Sequence, residues 1–442
     1  MPTGSAAATV KAAPPGVSRR ELRTVVGASV IGTTIEWFDF FIYGVASALI
    51  FNRLFFPSFE PLTGTLLAFS TYALGFLARP LGGVIFGHFG DRIGRKTLLM
   101  ISLLMMGLST TAIGLLPTYE QIGSWAPILL VLLRLIQGFA VGGEWGGAVL
   151  IVAEVAPPSQ RGFWTSWPQV GAPAGNLLAA AVFAAASALL TEADFIAWGW
   201  RIPFLLSIVL VLVGWWLRRA VSESLVFARE AAEAGVERFP AVEAIRRKGR
   251  ALLTGAGLRF GENICYYVAA TFSMTYLTEI RGGDRSLVLN AVLIGSALEC
   301  LTMPFFAMLS DRVGRRLVYG GGALCMAAWF LIFFTLLDQG NAWSVGAAIT
   351  VAMVAHGAMY APQAAMITEL FPTRLRYSGA SIAYQATSIM AGSLAPLIAL
   401  SLYQASGGTT LVTAYVVGSL ILTIVAVIAA SETRGVDLAK VE

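Results

Sequence analysis

The chain has 442 residues, 57% hydrophobic and only 12% charged. A soluble protein of this length divides into about three domains with charged exteriors, and such domains are about 25% charged, so the solvent for most of this surface is lipid. The formal charge of +5 is small, and no basic face interleaved with aromatics marks a nucleic-acid site. Cys265, Cys300 and Cys325 are odd in number and lack metal spacing, so neither a disulfide framework nor a zinc site is expected, and no cofactor.

Residues 1–23 form an Ala/Pro-rich polar arm ending in Arg19-Arg20-Glu21-Leu22-Arg23. The first apolar run starts only at Thr24 and continues for a membrane's thickness, which reads as a retained span and not a cleaved signal. About 20 apolar residues cross about 30 Å of hydrocarbon. Such runs lie at 24–51, 65–87, 97–117, 126–153, 163–190 and 201–218, then at 251–278, 286–309, 317–337, 343–368, 377–403 and 409–430. The expected architecture is all-α and integral to the membrane: twelve transmembrane helices as two six-helix bundles, residues 24–219 and 250–430, with a tail at 431–442.

Residues 220–249 are the long polar connection between the bundles, where Phe239-x-x-Val242-x-x-Ile245 predicts a short amphipathic helix on the membrane surface. With the N-terminus inside, most Lys and Arg fall on the cytoplasmic side. Both termini and the central loop are therefore expected in the cytoplasm, with the chain multi-pass in the cell membrane.

The halves repeat. Gly90-Asp91-Arg92-Ile93-Gly94-Arg95-Lys96 follows span two, and Ser310-Asp311-Arg312-Val313-Gly314-Arg315-Arg316 follows span eight. Glu154…Pro158…Arg161 after span four matches Glu369…Pro372…Arg376 after span ten, at nearly the same offset. Parallel repeats about an axis along the membrane normal build one large class of carriers, with the site at midplane between the halves.

The Asp-Arg-x-Gly-Arg-Lys/Arg loops resemble the signature of the major facilitator superfamily. The finer resemblance is to its metabolite:proton symporter family, which includes carriers of shikimate, 2-oxoglutarate, citrate and proline/betaine. It rests on Glu36-Trp37-Phe38-Asp39-Phe40, on the run from Arg79-Pro80-Leu81-Gly82 through Asp91-Arg92, and on the run from Arg134-Leu135-Ile136-Gln137-Gly138 through Glu144-Trp145-Gly146-Gly147. Ile50-Phe51-Asn52-Arg53 and Trp125-Ala126-Pro127-Ile128-Leu129-Leu130-Val131 look most like the shikimate-transporter branch. The resemblance covers the whole chain and is densest in the first half. It implies a carrier, not an enzyme, that imports a small organic acid with protons by alternating access. The expected partners are a small-molecule substrate, protons and the bilayer, with the carrier monomeric.

Charges inside spans are informative, because each costs about 2.5–3.5 kcal/mol at a helix centre and so marks function by default. They are Glu36, Asp39, Arg79, Arg134, Glu144, Arg259, Glu262 and Glu299. Asp39 lies about 18 Å from the outer end of span one and Arg134 about 12 Å into span four, so both reach one cavity. Next to Arg134 the Asp39 carboxylate is favoured ionised, and away from it burial favours the protonated form. Asp39, Arg134 and Glu36 are therefore the expected proton-coupling residues, and the resemblance implies the same for the acid on span one and the Arg on span four.

Arg259, Glu262 and Asn263 share one face of span seven by their i, i+3 and i+4 spacing. Glu262-x-x-x-Tyr266-Tyr267 echoes Glu36-x-x-x-Phe40-Phe41. Substrate contact is expected from Arg134, Gln137, Arg259, Glu262, Asn263, Tyr266, Tyr384 and Gln385; an internal Arg259–Glu262 ion pair is the alternative. His356 reads first as a packing residue. The resemblance implies a cytoplasmic gate of ion pairs: Asp91, Arg92, Arg95 and Arg161 with Glu154, and Asp311, Arg312, Arg315 and Arg376 with Glu369. Gly138-x-x-x-Gly142-x-x-x-Gly146 and Gly171-x-x-x-Gly175 are stripes for close helix packing.

Three rivals remain at this level. Uptake of a zwitterion such as proline or betaine is kept open by the surplus of intramembrane acids. An exporter or antiporter of the same fold is disfavoured, because Gly171-Ala172-Pro173 breaks the Gly-Pro step of efflux members. A membrane sensor lacks the soluble domain it would need.

Overall fold

The computed structural model describes residues 19–82, 85, 95–142, 149–150, 152–153, 155–220 and 240–436. The first half contributes α1 (Arg19–Leu49), α2 (Pro61–Leu77), α3 (Arg95–Leu115), α4 (Trp125–Val141), α5 (Arg161–Leu189) and α6 (Arg201–Ala220). In the second half α7 opens over Gly249–Tyr267 and runs on through π-turns at Val268–Phe272 and Tyr276–Ile280. It is followed by α8 (Arg285–Val313), α9 (Arg315–Asp338) and α10 (Ala342–Glu369). Next comes α11, Thr373–Thr387 prolonged by a π-turn at Ser388–Ser393 and by Ala395–Ser406, and then α12 (Thr410–Ala429).

Among the described residues eight helices are individually long and apolar enough to cross a bilayer, and α6 with Glu192–Gly199, bent by 45°, makes a ninth when the pair is counted as one span. The apolar parts of α3 and α4 are shorter, Met100–Leu115 and Trp125–Val141. In α7, Arg250, Arg259 and Glu262 interrupt the apolar run, the polarity of a helix turned inward. Between the halves, Pro240–Arg247 is helical where an amphipathic helix was expected, and it packs on α7 and α11 with Ala244 buried and Ile245 exposed.

Within each half, α1 packs on α5 and α3 on α6, and α8 and α9 pack on α10 while α7 packs on α12. The halves meet where α5 lies along α8 and α10. Glycine permits the closest approaches: a Cβ on Gly138 of α4 would sit 1.7 Å from the Gly75 carbonyl oxygen of α2, and one on Gly171 of α5 would sit 2.0 Å from Thr33 Oγ1 of α1. The second approach is used, because the Thr33 hydroxyl donates to the Pro168 carbonyl at 3.0 Å. That bond occupies an α5 carbonyl whose helical partner would be the nitrogen of residue 172. Leu212, Leu301, Leu324, Leu331 and Ile428 face outward, an apolar exterior matched to lipid.

Candidate functional site

In the first half the charged side chains of α1 and α4 converge with Arg79, just past the end of α2. Glu36, Arg79, Arg134 and Gln137 line one small cleft with Phe40, Gly75 and Met106. The Arg134 guanidinium lies over three rings, 4.4 Å from the Tyr43 centroid, 4.7 Å from Tyr72 and 4.9 Å from Phe40. Aromatic faces hold a desolvated cation without neutralising it. Its Nη1 donates to Gln137 Oε1 at 2.5 Å, an i, i+3 contact on one helix face. Arg79 lies 4.0 Å from the Phe76 centroid and within electrostatic reach of Glu36, Tyr267 and Tyr384.

Asp39 turns elsewhere. Its Oδ1 accepts from Ser207 Oγ of α6 at 2.5 Å, and its buried Oδ2 has no hydrogen-bond partner among the described residues. Asp39 and Arg134, expected to reach one cavity, make no direct side-chain contact in this state. Gln137 bridges them instead, its Nε2 donating to Thr110 Oγ1 at 2.9 Å and to the Asp39 main-chain carbonyl at 3.3 Å. The aromatic cage fixes the arginine head, and the rotation of α1 aims the aspartate at α6.

In the second half Arg259 Nη1 donates to Glu262 Oε2 at 2.9 Å and to Gln363 Oε1 at 3.1 Å, with the Tyr384 ring beneath it at 3.6 Å. The Tyr384 and Tyr360 hydroxyls are 3.1 Å apart. Gln363 Nε2 donates to Glu262 Oε2 at 3.0 Å and to the Tyr319 hydroxyl at 3.1 Å. The other Glu262 oxygen contacts His356 Nε2 at 2.6 Å, and His356 Nδ1 contacts Glu299 Oε1. A hydrogen-bonded chain thus runs Arg259–Glu262–His356–Glu299 across α7, α10 and α8. His356, read first as a packing residue, is hydrogen-bonded into this chain while its ring packs on Tyr266 and Tyr360.

Of the other expected substrate residues, the Tyr266 ring lies 4.5 Å from the His356 ring. Asn263 Nδ2 reaches Ser388 Oγ at 3.5 Å. Gln385 is half-buried, with its Oε1 lacking a partner among the described residues. Ser207, Thr110, Gln363 and Tyr319 were not singled out from sequence. They are neutral residues of apolar helices, and only their tertiary partners distinguish them.

At one end of the bundle the loop motif after α8 meets the end of α10 and the start of α5. Arg315 donates to both oxygens of Glu369, from Nε at 2.7 Å and Nη2 at 3.0 Å, and from Nη1 to Asp311 at 3.1 Å. Arg161 of the other half donates to the same Glu369 at 2.9 Å and to the Val436 carbonyl at 2.9 Å. Asp311 accepts from the backbone N–H groups of Gly162 and Phe163 at 2.9 and 2.8 Å, placing a carboxylate of the second half on the N-terminus of α5.

Pairing within each half was expected. For Glu369 the corrected set is Arg315 and, across the halves, Arg161, while Arg376 Nε donates to the Thr368 and Phe371 carbonyls. Arg312 is exposed, its carbonyl accepting from Arg434. Asp91, Arg92, Glu144 and Glu154, and the Arg95 side chain, lie outside the described residues. Just past α12, burial works to raise the Glu432 carboxyl, but N–H donation from Arg315, Arg434 and Arg316 prevails and holds it below the usual range.

The opposite end is also bridged. Glu192 of the first half contacts Arg285 of the second, and Arg53 lies 4.0 Å from Glu279. Midway, Asn176 Nδ2 donates to Ser296 Oγ at 3.1 Å, and Phe40 and Phe41 pack on Tyr267 and Tyr266. Among the described residues the halves therefore touch at both ends and in the middle.

Comparisons with known proteins agree with this architecture. The chain is 46% identical over 386 residues to the shikimate transporter of Escherichia coli (strain K12), covering 87% of this chain and 88% of that one. It is 36% identical over 399 residues to the proline/betaine transporter of the same strain, covering 87% and 79%. A solved D-xylose–proton symporter superposes with a TM-score of 0.73 over 94% of this chain and 100% of that one, and at 17% identity the likeness carries the fold alone. The family model described as Major Facilitator Superfamily matches residues 29–396 and 270–438. This chain belongs to the major facilitator superfamily and is a membrane transport protein with two six-helix pseudo-repeats.

Proposed function

We propose that the protein is a proton-coupled symporter that imports a small organic acid by alternating access. It acts as a monomer, with both termini and the central loop (220–249) on the cytoplasmic side. The observation that carries this is Arg259: a buried guanidinium on the Tyr384 ring, whose partners Glu262 and Gln363 are side chains that can be exchanged for a substrate carboxylate. The 46% identity to a shikimate transporter supports the same substrate class. Arg134, Gln137, Asn263, Tyr266, Tyr384, Gln385 and Glu262 complete the substrate surface. Asp39, with Glu36 and Arg134, couples the proton, and the Arg161–Glu369–Arg315–Asp311 network is the cytoplasmic gate.

Vesicles carrying the protein test this. An inward proton gradient is expected to drive accumulation of shikimate, and collapsing the gradient is expected to abolish it. The buried acids Glu36, Asp39, Glu262 and Glu299 favour a second reading, in which the substrate carries a positive group as proline and betaine do. Accumulation of betaine without any carboxylic acid would select it. Uptake opposed by the inward gradient would make the protein an antiporter.

Arg259 also separates two modes of recognition. A fork gripping a carboxylate with two parallel bonds predicts that Arg259→Lys and Arg259→Ala both weaken shikimate binding by tenfold or more, because the ammonium cannot reproduce that geometry. Retention of binding in Arg259→Lys alone would reduce the role to charge. Wild-type affinity in both would leave Arg259 as a structural partner of Glu262.

A further inference from the structure

The proton coupling proposed above sits in the first half, yet a chain of four buried ionisable groups lies inside the second. Glu262 of α7 and Glu299 of α8 flank His356 of α10, one on each ring nitrogen, and all three are buried. A histidine between two carboxylates has a proton acceptor on either side, so a proton added to the chain can reside on any of the three groups.

The charges explain what such a site would do. Arg259 supplies one positive charge against two carboxylates, so one proton on the chain makes the cluster neutral. A carboxylate arriving at Arg259 adds a negative charge in a dehydrated interior, where an unbalanced charge is strongly disfavoured. One further proton restores neutrality. Glu299 Oε2, buried and without a hydrogen-bond partner among the described residues, is a vacant position for it.

The neighbours leave that balance to the chain itself. Cys265, Tyr266 and Tyr267 of α7, Cys300 of α8, Tyr319 of α9, Tyr360 of α10 and Tyr384 of α11 face it. Thiols and phenols are uncharged at neutral pH unless something specific ionises them. The chain also ties α7 to both α8 and α10, and α8 and α10 are the helices that pack on α5 of the first half. A change in its charge therefore falls on helices that line the interface between the halves.

We propose that Glu262–His356–Glu299 is a second proton-binding site, which takes a proton from solvent when a carboxylate occupies Arg259 and releases it when the carboxylate leaves. This rests on the carboxylate-symport reading for its coupling, but not for the existence of the proton site.

Two measurements on the full-length protein in detergent separate those parts. In the first, wild type and Glu299→Gln are titrated without substrate between about pH 5 and pH 9, a range that brackets histidine and a perturbed carboxylate. A difference of about one bound proton per molecule is expected. Superimposable curves would overturn the site, whatever the substrate proves to be.

In the second, shikimate binding is measured across the same range. Wild-type affinity is expected to fall by up to about tenfold per pH unit on the alkaline side, the slope of one linked proton, and Glu299→Gln is expected to flatten it. An unaltered slope in the variant would overturn the coupling and leave the chain as a structural tie. Absence of saturable binding of shikimate by wild type would count against the carboxylate reading, while the titration still decides the proton site. If Glu299→Gln does not give a monodisperse protein, His356→Gln is read by the same two measurements.

Discussion

Glu369→Gln is expected to unlock the end of the bundle where α5, α8 and α10 meet. Glu369 is buried and receives both Arg315 and Arg161, two arginines that are themselves buried. Removing one member of a buried ion pair costs about 3–5 kcal/mol, because the remaining charge stays dehydrated without compensation. Among the described residues Arg315 keeps Asp311 and Arg161 keeps no carboxylate, so opening that lets water reach the two cations becomes favourable. At about 1.4 kcal/mol per factor of ten, the open population rises a hundredfold or more, provided that the open state hydrates both arginines.

The measurement is the labelling rate of a cysteine replacing Ala153, whose carbonyl accepts from Arg161 Nε at 3.2 Å. The background lacks Cys265, Cys300 and Cys325. Faster labelling is expected in the variant, together with slower net uptake. An unchanged rate would confine these loops to setting topology.

The second large effect concerns Asp39. Asparagine keeps the shape and hydrogen-bonding capacity of a protonated aspartate, so Ser207 retains a partner, but it cannot release a proton. Asp39→Asn is therefore expected to abolish accumulation driven by a proton gradient, a loss equal to the whole concentration ratio that wild type sustains, while substrate counterflow persists. The orphaned Oδ2 makes this position sensitive, because a buried carboxylate oxygen without a donor is the atom that gains most from a proton. Tracer accumulation and counterflow in the same vesicles check it. Accumulation equal to wild type would move the coupling role to Glu36 or to the Glu262 chain.

Much of the fold is written in one-dimensional terms. Crossing lipid requires long apolar runs with every backbone group bonded internally, so hydropathy alone marks where the helices lie. The duplicated loops, Asp91 to Lys96 and Asp311 to Arg316, mark two halves because a repeated local pattern needs no knowledge of packing. The face shared by Arg259 and Glu262 is equally local, and their ion pair follows from i, i+3 spacing on a single helix.

Tertiary structure decided which partner each remaining charge takes. Glu369 and Arg376 stand in the same spacing as Glu154 and Arg161, yet Glu369 binds Arg161 of the other half, because α5 and α10 bring their ends together across the interface. Asp39 and Arg134 lie at compatible depths, but depth carries no information about rotation, and the rotation of α1 directs the aspartate to Ser207. His356 looked like a solitary packing residue because its partners stand 94 and 57 positions away on other helices. Hydropathy and spacing report what a segment does by itself. The pairing of buried charges depends on how helices turn toward one another, and that is settled only when the twelve are packed.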